Sequence, residues 1–207
     1  MSDYTLPLDL TLVCGMSSSG KTTFCLRYLL NASAACRFLF DFKGEYAKRL
    51  GLPHASTSAQ LEAALASRWV VFNPHPMFQG DLQSSFRFFC EWAYQCAKRG
   101  PGKKVVHVDE LWLFSSPNSI PKELQALAQM GRAEGVELLA STQTPQKIHA
   151  SITGQSTELV CFRLDERLAL DAVQELGAER ETVQNLPLGS FVALNRVSRG
   201  RLAGRVF

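Results

Sequence analysis

The chain has 207 residues, 46% hydrophobic and 20% charged, the proportions of an ordinary soluble globular protein with room for one α/β domain around a buried sheet. Its formal net charge of +3 is too weak to declare a polyanion partner. No run of about 18 apolar residues is available to span a membrane, and the opening MSDYTLPLDL lacks the basic and apolar regions of a secretory signal, so a cytoplasmic site of action is expected.

Short apolar runs alternate with amphipathic stretches, the pattern of a βαβ protein with a mainly parallel sheet. Leu8–Cys14 reads as the first strand, followed by a Gly/Ser loop and a helix over about Lys21–Asn31. Arg37–Asp41 is a second strand, Glu45–Leu50 and Ser58–Ser67 are helical, and Trp69–Asn73 is a buried strand cut off by Pro74 and Pro76. Leu82–Lys98 is a long helix stopped by Gly100-Pro101-Gly102. Its aromatics, Phe86, Phe88, Phe89, Trp92 and Tyr94, fall at core spacing rather than as a base-stacking surface.

Lys104–Asp109 is a dense apolar strand, and Pro121–Glu134 a helix opened by proline. Strands at Val136–Ser141 and Thr157–Arg163 are followed by helices at Glu166–Gln174 and Ala178–Asn185. Phe191–Asn195 and Arg201–Val206 pair as a hairpin around Ser198-Arg199-Gly200. No repeat or linker divides the chain, so residues 1–207 are expected to form a single domain.

Gly15-Met16-Ser17-Ser18-Ser19-Gly20-Lys21-Thr22 fits GxxxxGK[ST] between a predicted strand and a predicted helix. Backbone N–H groups of such a loop, with Thr23 in the first helical turn, cradle phosphates at a helix N-terminus. Lys21 would reach the β- and γ-phosphate oxygens of ATP, and the Thr22 hydroxyl would coordinate Mg²⁺. The strand that ends in Asp109-Glu110 puts two carboxylates where open α/β sheets bind ligands. Asp109 is the candidate metal-holding acid, and Glu110 the candidate general base for the attacking water; the plainer reading makes Glu110 a cap of the next segment. A glutamate in that position points to the additional-strand ATPases rather than to kinases or GTPases. Val136–Ser141, running into Thr142-Gln143, supplies the extra strand, with Gln143 as a polar sensor. The expected fold is therefore α/β: a P-loop NTPase of the RecA-like additional-strand class, with a central, mainly parallel sheet flanked by helices and a C-terminal β-hairpin.

Six cysteines, Cys14, Cys25, Cys36, Cys90, Cys96 and Cys161, form no CxxC pair, and buried free thiols are expected in place of zinc ligands or disulfides. His107 reads as a hydrogen-bonded core residue, and His54, His75 and His149 share no ligand spacing. Between Pro187 and Phe207 no acid occurs, while Arg196, Arg199, Arg201 and Arg205 do. This stretch is either a patch that tracks a phosphate backbone or a solvated hairpin.

Four segments resemble the FtsK–HerA superfamily of DNA-pumping ATPases, and most of all the genome-packaging ATPases of tailless internal-membrane viruses. They are the phosphate loop; Phe40-Asp41-Phe42-Lys43-Gly44-Glu45-Tyr46, similar to a D-P-x-G-E-Y segment with Phe42 in place of proline; Val108-Asp109-Glu110-Leu111-Trp112; and Gly131-Arg132 through Thr142-Gln143-Thr144-Pro145, similar to a GR-x-x-G … ATQ-x-P arrangement. The resemblance implies Arg132 as an arginine finger offered to a neighbouring subunit, with Arg163 and Arg167 in reserve, and an additional active-site role for Glu45. A plain helix-end arginine is the alternative for Arg132. It further implies a homo-oligomeric ring, a homohexamer, acting on double-stranded DNA at a capsid portal or packaging vertex, in the host cytoplasm or on the virion. Cellular relatives carry an anchor, a barrel or a winged helix for which 207 residues leave no room. In such a ring the Ser115–Ile120 loop would face the pore. A phage assembly or extrusion factor and a small-molecule kinase are the competing functions.

Overall fold

The computed structural model describes residues 10–207; the expected strand start at Leu8 lies outside the described residues. The strands are β1 (Leu10–Cys14), β2 (Cys36–Phe40), β3 (Trp69–Phe72), β4 (Lys104–Val108), β5 (Val136–Thr142), β6 (Glu158–Phe162), β7 (Ser190–Asn195) and β8 (Arg201–Arg205). The helices are α1 (Lys21–Asn31), α2 (Glu45–Leu50), α3 (Ser58–Ser67), α4 (His75–Phe78), α5 (Leu82–Arg99), α6 (Lys122–Met130), α7 (Ala150–Thr153), α8 (Arg167–Glu175) and α9 (Arg180–Gln184). They surround one eight-stranded sheet of order β3-β2-β4-β5-β1-β6-β7-β8. All pairings from β3 to β6 are parallel, and β7 and β8 add antiparallel at one edge.

Alternation along the strands divides the core into two layers. Phe38 and Phe40 of β2 and Val106 and Val108 of β4 face α5, where Phe86, Phe89 and Cys90 are buried. Leu39, Val105, Leu139 and Val160 face the opposite way, against Cys25, Leu26 and Leu29 of α1 and Tyr46 of α2. The α5 aromatics are core, as their spacing predicts: Phe86 stacks on Phe114 with centroids 4.0 Å apart, and Phe38 meets Trp92 edge-on. His107 is fully buried, 3.0 Å from the Leu139 carbonyl through Nδ1.

One expectation is extended by the structure and one is corrected. Pro74 and Pro76 do more than stop β3, because Pro74 caps the short helix α4 and Pro76 sits in its first turn, where the missing N–H costs nothing. The helix predicted to reach Glu134 ends at Met130, and Gly131–Glu134 tightens into a 3-10 turn. The turn is compact because Gly131 lies against β5, where an added Cβ would meet Val136 Cβ at 3.0 Å. At the other edge the hairpin forms where expected, with Asn195 Oδ1 accepting from the Val197 and Ser198 amides at 3.0 and 2.6 Å.

Candidate active site

The loop after β1 is pinned from both sides before it enters α1. The Gly15 amide donates to the Thr142 carbonyl of β5 at 3.2 Å, and the Met16 amide to the Arg163 carbonyl beyond β6 at 2.9 Å. Its return requires two left-handed residues, Ser18 at φ 59° and Gly20 at φ 115°. Gly20 is irreplaceable on two counts, since a Cβ there would also lie 2.7 Å from Val206 Cγ2. Lys21 is buried, and its Nζ donates to the Gly15 and Met16 carbonyls at 2.8 and 2.9 Å. Burial pulls its ammonium below the ordinary lysine value, and Glu110 and Asp109 pull the other way. Ser17, Ser18, Gly20, Lys21, Thr22 and Thr23 line a cavity of about 380 Å³. Ser19, within the loop, is buried with an unpartnered Oγ.

The acids form the facing wall. Asp109 follows β4 directly and accepts from the Ser141 hydroxyl of β5, with Lys43 Nζ at 3.4 Å. Burial pushes the Asp109 carboxyl up, but the Ser141 hydroxyl, His107 and Lys43 outweigh it and leave the group below its ordinary value. Glu110, at φ 51°, is left-handed and only 5% exposed, a strained backbone of the sort that gathers at functional sites. That twist turns its carboxylate back over the sheet end. Trp112 Nε1 donates to Oε2 at 2.9 Å, Gln143 Nε2 donates to Oε1, and Lys43 Nζ lies 3.4 Å from Oε1. Asp109, Glu110 and Gln143 line the same cavity as the phosphate loop.

The Phe40–Tyr46 segment adds the third side. Asp41 is buried and accepts from the Tyr46 and Ala47 amides at 3.2 and 2.8 Å, so it caps α2 and aims Lys43 and Glu45 at the cavity. Phe42, standing where the resemblance expects proline, packs on Phe40 and Phe114 with centroids 5.9 and 6.2 Å apart. Glu45 lines the cavity and pairs with Arg49 at 2.6 Å. Burial works against the Lys43 ammonium, yet Asp109 and Glu110 raise it above the ordinary lysine value.

The three arginines are not brought into this cavity. Arg132 is exposed on the 3-10 turn before β5, Arg163 pairs with Asp165 at 3.0 Å, and Arg167 lies 3.8 Å from Asp171. Three lining residues escaped the sequence reading: Lys43, Arg49 and Phe207. Lys43 and Arg49 carried a signal, being within and just beyond the quoted motif; Phe207 carried none.

A phosphate loop between β1 and α1, an acid pair after β4 and one strand interposed between β4 and β1 define the additional-strand P-loop NTPase fold. No family model matches the chain. Protein P9 of Pseudoalteromonas phage PM2 is 25% identical over 190 residues, covering 90% of this chain and 84% of that protein. DNA translocase SftA of Bacillus subtilis (strain 168) is 27% identical over 191 residues, 82% of this chain, which spans only 20% of SftA. Among solved structures, the genome packaging NTPase B204 from Sulfolobus turreted icosahedral virus 2, in complex with AMPPCP, superposes with a TM-score of 0.79 at 18% identity over 97% of this chain and 98% of that one. These likenesses agree with the FtsK–HerA resemblance drawn from the sequence, and the last of them shows a shared fold.

Proposed function

We propose that the chain is an ATPase that moves double-stranded DNA, packaging a viral genome into a preformed capsid. The observation that carries this reading is the convergence of the phosphate loop, Asp109, Glu110 and Gln143 on one cavity. The P9, SftA and B204 likenesses support the kind of work done there. The described residues contain no helix long and apolar enough to cross a membrane.

Loop amides and Lys21 bind and orient the triphosphate. The site suits Mg²⁺, because Asp109 is held ionised and a cationic ammonium already bridges it to Glu110. Thr22 and Asp109 would hold the ion, which would supply charge neutralisation at the phosphate oxygens. Glu110 takes the proton of the attacking water, while Gln143 and Trp112 hold its carboxylate in place. Arg132, exposed and outside the lining of its own cavity, serves the site of a neighbouring subunit in a ring, a contribution that can reach about 10³–10⁵ in rate. The hexamer, the capsid portal or packaging vertex as partner, and action in the host cytoplasm or at the virion belong to the same proposal.

The test is phosphate release by the purified, assembled protein with and without double-stranded DNA. Stimulation by DNA is expected, with activity abolished in Lys21→Ala. ATPase activity indifferent to DNA would remove the motor reading, and a phosphorylated nucleoside product would replace it with a kinase.

A further inference from the structure

The sheet order gives the cavity a direction. Asp109 and Glu110 leave β4, two places to one side of β1 and its phosphate loop, while β7 and β8 lie to the other side beyond β6. On that second flank the hairpin end is tied to the loop through backbone: the Gly189 amide donates to the Ser19 carbonyl at 3.1 Å, and the Val206 amide to the Gly189 carbonyl at 2.8 Å. These bonds deliver the next side chain, Phe207, to the cavity wall.

The ring is seated on Gly189. A Cβ there would meet Phe207 Cε2 at 2.6 Å, Cδ2 at 2.7 Å and Cζ at 3.1 Å, and Gly189 adopts φ 78°, so the seat requires glycine twice over. Contact with the glycine covers part of the ring, yet the residue stays 60% exposed. Among the described residues that line the cavity it is the one aromatic; the rest are small, polar or charged. Leaving such a surface in water forgoes the stabilisation that burial of an aromatic side chain gives. A flat heterocycle laid on the ring recovers it.

We infer that Phe207 provides the stacking platform for the base of the nucleotide. This inference rests on the cavity taking ATP. With the terminal phosphate drawn toward Asp109 and Glu110, the chain of phosphates runs along the loop and the base emerges on the β8 flank, where Phe207 stands. Phe207 is thus a binding residue for the base, with no part in the chemistry at the phosphate.

Calorimetry with two probes tests this: Mg²⁺-ATP, which has a base, and Mg²⁺-tripolyphosphate, which has none. Phe207→Leu should weaken ATP about tenfold and leave tripolyphosphate within about twofold of the wild type, and Phe207→Tyr should restore ATP binding. Unchanged ATP affinity in Phe207→Leu would overturn the inference. So would equal weakening of both probes, which would mean that the ring only braces the loop. Wild-type protein that binds neither probe would overturn the nucleotide reading itself, and this one with it.

Discussion

Replacing Glu110 by glutamine tests the proposed base and its surroundings together. Both carboxylate oxygens lie under N–H donors, Trp112 on one and Gln143 with Lys43 on the other. A glutamine amide offers one acceptor oxygen and one donor group, so one opposing donor must then face another donor. A hydrogen bond to a charged group contributes about 1.5–3 kcal/mol, and release of a buried carboxylate offsets part of its loss. The remainder, about 1–2 kcal/mol, lowers the unfolding midpoint of a chain this size by about 2–8 °C. The strained backbone at φ 51° is common to both side chains and drops out of the comparison. Hydrolysis should fall by about 10²–10⁴ with removal of the general base, while ATP binding, which rests on the phosphate loop, persists. Phosphate release, ATP calorimetry and thermal melting read the three effects separately. A Glu110→Gln protein hydrolysing within about tenfold of wild type would refute the assignment of the base, and a raised melting point would refute the donor argument.

Other expectations concern the ring, the core and one buried acid. If Arg132 acts across a subunit boundary, Arg132→Ala and Lys21→Ala should each be inactive alone and partly recover ATPase activity when mixed; mixtures that stay inactive while still assembling would confine the finger elsewhere. Phe86 is fully buried between Phe114 and Phe40, so Phe86→Ala should cost about 3–5 kcal/mol in chemical denaturation, and a loss below about 1 kcal/mol would show that the cluster repacks. Burial pushes the Glu158 carboxyl from 4.5 up to about 7, against the opposing pull of Asn195. The folded chain then binds this proton more tightly than the unfolded chain, and the resulting stability is complete below 4.5 and lost as pH rises through about 7. Relative to Glu158→Gln, the wild-type melting point should drop by about 3–6 °C between pH 5 and pH 8; a pH-independent difference would refute the shift.

The phosphate loop was legible because its chemistry needs consecutive residues, and β1, α1 and the loop are contiguous in sequence. The acid pair was legible for a similar reason, an apolar strand running straight into Asp109-Glu110. What held these acids in place was harder to read. Trp112 is two residues from Glu110, yet its hydrogen bond depends on the left-handed turn at Glu110, which no local preference announces in a non-glycine residue. Asp41 stood inside a recognised motif, but its work as the cap of α2 depends on the direction of the turn at Lys43-Gly44. Phe207 was invisible because its approach to the phosphate loop is made by the sheet's antiparallel edge and not by any nearby residue. The end of α6 was misjudged because amphipathic spacing continues through Gly131, while packing against Val136 is a tertiary event.

The position of β5 has a mechanical consequence. Neighbouring strands stand about 4.8 Å apart, so β4 and β1 are separated by about 9.6 Å. Were they adjacent, the carboxylates would stand one strand spacing, about 4.8 Å, nearer to the loop and its lysine, and the gap between them would be narrower. The intervening strand works as a shim: it fixes the width of the jaw by backbone hydrogen bonding, and at its tip it sets Gln143 midway across the opening.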